Sequence, residues 1–156
     1  MASQLENRHS AEFAAADLRI YLLGSPNVEW ASRPLSIPRR QVRALLYRLA
    51  VRLRPVPREH LCFIFWPDTP ESTARRHLSH LLTHLRRALP DPEVLLDSDD
   101  QVGLDPQRVW SDTMAFEQLC AVDLYRGPFL AGFSLPDSPE FEVWATQERY
   151  AWERLY

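Results

Sequence analysis

The stretch from Arg58 to Leu89, REHLCFIFWPDTPESTARRHLSHLLTHLRRAL, constrains the fold of this chain more than any other. Two helical patterns meet there across Pro67-Asp68-Thr69-Pro70, a turn built on residues that end one helix and open the next. The first pattern, Arg58–Trp66, is short and apolar nearly all round, so it must be packed between other elements. The second runs from about 71 to 89, with Thr69 or Ser72 as its expected cap and Pro90 and Pro92 as its stop. Turned at about 100° per residue, Leu78, Leu82, Leu85 and Leu89 fall in one narrow stripe. Arg76, Ser79, His80, Thr83, His84 and Arg87 fall on the opposite side. A supporting helix, a tight turn and a second helix with a polar outer face make the layout of a helix-turn-helix, whose second helix enters the major groove.

The charge distribution points the same way. All 18 basic residues are Arg, and the net charge of the 156 residues is -3. That total conceals a division. Residues 33–90 hold twelve Arg and three acids, a local charge of +9, whereas residues 91–156 hold four Arg and fourteen acids, a local charge of -10. A basic block of this density is an electrostatic footprint for phosphate. Arg suits the purpose because its planar fork meets phosphate or guanine with two parallel hydrogen bonds.

The chain around this block reads as mixed α and β. Leu18–Leu23, Val28–Trp30 and Leu35–Ile37 are short strand patterns, separated by the Gly24-Ser25-Pro26-Asn27 turn, and predict a small antiparallel sheet. From Arg39 to Leu53, Val42, Leu45, Leu46, Leu49 and Leu53 recur at helical spacing, and Pro55 and Pro57 end that helix. Val94–Leu96 and Gln101–Leu104 flank Asp97-Ser98-Asp99-Asp100, which predicts a hairpin in the position of a wing. Asp112–Cys120 reads as a helix, Leu124–Phe133 as a Gly- and Pro-punctuated connector, and Glu140–Tyr156 as a helix with Phe141, Trp144, Trp152 and Leu155 on one face. Cys62 and Cys120 lie among apolar neighbours and read as buried thiols rather than a disulfide. MASQLENRHS has no apolar core, so residues 1–17 read as a flexible leader and not a secretory signal. The apolar runs are too short to span a bilayer, and the expected location is the cytoplasm.

Candidate DNA contacts follow from these faces. Arg75, Arg76 and Arg87 offer charge for phosphate or guanine, while Ser79, His80, Thr83 and His84 are short enough to let the helix approach base edges. Arg39 and Arg40 open the first helix and Arg58 the second, where free amides favour phosphate. Arg75 and Arg86, nearer the flanks, are divided between phosphate and an internal salt bridge. His77, His80 and His84 share the long helix, but no carboxylate joins them there, so a solvated or DNA-facing role is preferred to a metal site and no metal or cofactor is expected. If these imidazoles face phosphate, DNA affinity should fall as pH rises through about 6.5. No phosphate loop, nucleophile elbow or HExxH pattern points to an enzyme.

Three stretches resemble the N-terminal part of the SARP-type bacterial transcriptional activators. They are PLSIPRRQVRALLYRLA, PVPREHLCFIFWPDTPESTARRHLSHLLTHLRRAL, and LYRGPFLAGF with the acidic, aromatic helix behind it. The first two look like an OmpR-type winged helix, the third like the start of the bacterial transcriptional activator domain. Only one short helix fits between hairpin and connector, so that module, over 111–156, is partial or abbreviated. The resemblance implies binding to promoter DNA, dimerisation on repeated half-sites, and activation through RNA polymerase. Ser79 and His80 stand where relatives often carry Arg and Gln, so their sequence preference does not transfer.

The resulting expectation is an α+β chain. Residues 18–110 would form a winged helix-turn-helix with an N-terminal antiparallel sheet and a C-terminal β-hairpin wing. Residues 111–156 would add a short α-helical segment. Helix 71–89 would read the major groove of double-stranded promoter DNA. The alternative is a degenerate winged helix that binds protein partners and no DNA.

Overall fold

The computed structural model describes residues 16–156, so nearly all of the leader expected over 1–17 lies outside the described residues. In chain order the elements are β1 (Leu18–Tyr21), β2 (Asn27–Trp30), β3 (Arg33–Pro34), α1 (Arg40–Ala50), β4 (Val56–Pro57), α2 (Arg58–Phe65), α3 (Glu71–Ala88), β5 (Leu95–Asp97), β6 (Gln101–Leu104), β7 (Val109–Ser111), α4 (Asp112–Leu119) and α5 (Pro139–Leu155). The class is α+β.

The first sheet has the order β3-β2-β1-β7. Its β1–β2 pair is antiparallel, with Leu18 opposite Trp30 and Tyr21 opposite Asn27, and alternation along β1 sends Leu18 and Ile20 inward. The sheet is mixed rather than antiparallel, because β7 lies parallel to β1 with Leu18 opposite Val109. The third strand also differs from expectation. Ala31 and Ser32 take positive φ of 48° and 65° and reverse the chain early, so β3 is Arg33–Pro34 instead of Leu35–Ile37. Two successive left-handed residues give a turn whose twist matches the strands.

Helix α1 buries Val42, Leu45, Leu46 and Leu49, and α3 buries Leu78, Leu82 and Leu85 together with Ala74 and Leu81. The residue before α3 is Pro70, with no side-chain cap, so neither Thr69 nor Ser72 caps it. Behind α3, β5 and β6 form a hairpin that begins at Leu95, one residue later than expected, and β4 completes a second sheet of order β4-β6-β5. A proline strand at the sheet edge loses no ladder bond that a central strand would need.

One apolar cluster takes in residues from β1, α1, α2 and α3, and also Phe129, Leu130, Phe141 and Trp152. The boundary expected at 110 falls inside β7, and the segment after it shares this core. Asp112, with no exposed surface, accepts hydrogen bonds from Leu22 N at 2.7 Å and Leu23 N at 2.9 Å. It thereby fixes the start of α4 against the end of β1. The connector is seated beside it, with Gly24 N donating to Pro128 O (3.1 Å) and Leu130 N to Leu22 O (2.9 Å). Along α5, Phe141, Ala145 and Trp152 are buried, but Leu155 is 57% exposed and drops out of the expected face. Cys120 is exposed too: α4 stops before it, and it takes a left-handed φ of 50° at the helix end. Cys62 is buried, which pushes its thiol pKa up.

Candidate nucleic-acid interface

The stripe that buries one side of α3 determines what the other side offers. Arg75, Arg76, Ser79, His80, Thr83 and Arg87 are all exposed, and His84 is half-buried at the rim. Ser79 Oγ donates to Arg75 O at 3.1 Å and Thr83 Oγ1 to Ser79 O at 3.0 Å. Both hydroxyl hydrogens are therefore used within the helix, and the outward lone pairs can only accept. Arg75 forms an exposed pair with Glu71 one turn earlier (2.7 Å), an interaction that water and salt weaken. Arg76 and Arg87 form no ion pair among the described residues, and neither does Arg40, exposed at the start of α1.

Other arginines of the basic block are turned inward. Arg58 donates through Nε to Ser98 O (2.8 Å) and through Nη2 to Asp97 (2.5 Å), and Arg86 binds the other oxygen of Asp97 (2.5 Å). Asp97 thus ties the β5–β6 hairpin to the start of α2 and the end of α3. Arg86 resolves as a salt bridge, and the Arg58 side chain is spent on the hairpin. Two arginines of α1 and Arg52, just beyond its end, stack on aromatic rings of the chain's last third. Arg43 lies 5.6 Å from the Phe133 ring centre, Arg48 5.1 Å from Trp144, and Arg52 4.5 Å from Trp152. Arg52 also reaches Glu148 at 3.1 Å and Glu117 at 3.5 Å. Cation–π contact of this kind is worth about 0.5–2 kcal/mol, more as water is excluded. The opposite charges of residues 33–90 and 91–156 are in part a packing device. Summed charge along the sequence could not separate packed arginines from displayed ones.

Arg39 stands apart from that group. Its Nη1 lies 2.8 Å from Nε2 of His84, so a side chain from the start of α1 meets one from the middle of α3. The two border a cleft of about 190 Å³ shared with Trp66, His77 and His80. The His77 ring packs 5.4 Å from that of Trp66. Burial, then the charges of Arg39 and Arg87 and the neighbouring His80, hold the His84 pKa below its ordinary value. Among the described residues no three His, Cys, Asp or Glu side chains gather as a metal site, and no helix is long and apolar enough to cross a membrane.

Over 85% of its length the chain matches the fold of Mycobacterium tuberculosis EmbR, in a structure of that protein with a low affinity phosphopeptide. The TM-score is 0.60 and the sequence identity 25%. The likeness supports a SARP-like winged-helix fold. The chain spans 41% of the EmbR chain, so the match concerns part of that protein. No family model and no curated protein sequence matches the chain.

Proposed function

We propose that this chain is a DNA-binding transcription regulator of the SARP type, located in the cytoplasm, that reads the major groove of promoter DNA with α3. The observation that carries the reading is the outer face of α3. Arg76, Ser79, His80, Thr83 and Arg87 stand exposed together, and the leucines opposite them are sealed in the core. A helix entering a groove needs a rigid apolar back and a polar front free of bulky acids, which is the arrangement present here. The β5–β6 hairpin, anchored through Asp97, is the wing of this reading and lies against the adjacent backbone. Arg39, Arg40 and Arg75 supply phosphate contacts, while Arg58 acts through the hairpin it holds. Dimerisation on repeated half-sites and activation through RNA polymerase extend the reading, and no catalytic step belongs to it.

Selection of bound sequences from a random duplex pool, followed by titration at several salt concentrations, tests it. The log–log slope with salt should steepen by about 0.9 for each phosphate neutralised. Arg76→Ala and Arg87→Ala should each weaken binding by about 1–3 kcal/mol and relax the selected sequence if they read bases, or flatten the slope by about one if they touch phosphate. A second reading, a module that binds protein partners and no DNA, draws on the phosphopeptide held by EmbR. Absence of duplex binding at low salt would favour it.

A further inference from the structure

Arg39 and His84 are 45 residues apart in sequence and joined side chain to side chain at 2.8 Å. A guanidinium can only donate, so Nε2 of His84 is the acceptor and the neutral ring carries its hydrogen on Nδ1. A protonated ring has no lone pair left at Nε2, so this contact exists only while His84 is neutral. The charged and titratable neighbours all oppose protonation: Arg39 from the start of α1, and His80 and Arg87 from α3. His77 and Trp66 line the same cleft, and no carboxylate does. The free protein therefore holds a cation and an uncharged imidazole side by side, on the rim of the exposed α3 face, and among the described residues no carboxylate pairs with either.

We propose that Arg39 and His84 together hold one DNA backbone phosphate, and that its arrival is coupled to uptake of a proton at Nε2 of His84. The proposal rests on the DNA-binding reading of α3. The proton comes from solvent, and the only bond formed is that N–H. Arg39 Nη1 transfers its donated hydrogen bond from Nε2 to a phosphate oxygen, and the newly protonated Nε2 donates to the same phosphate. The negative charge opposes the burial and the repulsion from Arg39, Arg87 and His80 that disfavour the protonated ring in the free protein. The pair would act as a clamp across α1 and α3 that closes on phosphate and not on neutral base edges.

Calorimetric titration of the full chain with a random-sequence duplex at low salt, in two buffers of equal pH and different ionisation enthalpy, counts the protons taken up. Uptake should approach one proton near pH 6.5, and affinity should fall by up to tenfold per pH unit across that window. In His84→Gln the amide oxygen can still accept from Arg39, so the contact survives while the titration is lost; this variant should bind without uptake and with a flat pH profile. Ring NMR should show a hydrogen on Nδ1 alone in the free protein and on both nitrogens with duplex. Wild-type binding with no net uptake, or uptake that persists in H84Q, overturns the proposal and leaves DNA binding by α3 standing. No binding of the duplex at low salt overturns both.

Discussion

Replacing Trp152 with Ala asks whether residues 111–156 belong to one cooperative unit with α1, α2 and α3. Trp152 has no exposed surface. Its ring lies under Arg52 at 4.5 Å and edge-on to Phe116 at 6.1 Å, and its Nε1 donates to Glu148 at 2.9 Å. A fully buried Trp removes roughly 200 Å² from water, which at about 25 cal/mol per Å² is about 5 kcal/mol. Truncations of this kind cost about 3–5 kcal/mol, and loss of the Arg52 contact moves this site to the upper part of that range. The expected loss, about 4–5 kcal/mol, is a large share of the 5–15 kcal/mol typical of a domain. With a urea slope of about 2 kcal/mol/M the midpoint would fall by roughly 2 M. Urea unfolding by circular dichroism, run beside hydrogen exchange at the Leu82 and Leu85 amides of α3, measures it. A loss below about 2 kcal/mol would refute the packing argument. So would an early transition that melts α4 and α5 while the α3 amides stay protected.

Two further outcomes follow from the seam between β1 and the connector. Burial raises the Asp112 pKa, against the opposing effects of the Leu23 and Leu22 amides and the Arg126 charge. A carboxyl raised in the folded state favours folding below its ordinary value of about 3.9 and loses that contribution as pH rises through the raised value. Wild-type stability relative to Asp112→Asn should therefore decline as pH rises above about 4, and a pH-independent difference in urea titrations would contradict the assignment. Gly24 has a φ of 113°, and an added Cβ would lie 3.3 Å from Cβ of Arg126. Gly24→Ala should cost about 2 kcal/mol from backbone strain and crowding, and an unchanged melting temperature would show that the connector is not held there.

The long helix was the most legible part of the chain because a single period of 3.6 governs eighteen residues, and proline brackets it on both sides. The hairpin behind it was legible for a similar reason: its polar tip separates two apolar runs. Strand β7 was not, since three residues, Val109, Trp110 and Ser111, are too few to display alternation, and a parallel partner 91 positions earlier leaves no local trace. The left-handed turn at Ala31 and Ser32 escaped because neither residue is the Gly or Asn that usually marks one. Sequence could bring Arg39, Arg75, Arg76, Arg87 and the α3 hydroxyls and imidazoles into one list. It could not show that Arg58 and Arg86 share a carboxylate on the hairpin, or that Arg43, Arg48 and Arg52 lie on aromatic rings, because both depend on which distant segment covers each helix.

The parallel pairing of β1 with β7 has a consequence for how the chain is made. Strand β1 emerges from the ribosome about ninety residues before its inner partner and before Asp112, the carboxylate that caps its end. At 5–20 residues per second that interval is roughly 5–20 s. During it, β1 has only β2 beside it and one edge open, while α1, α2 and α3 already exist as sequence. The helical half can begin to collapse during synthesis, but the sheet that fixes its orientation closes only after β7 arrives, so native assembly is set by a late, long-range step.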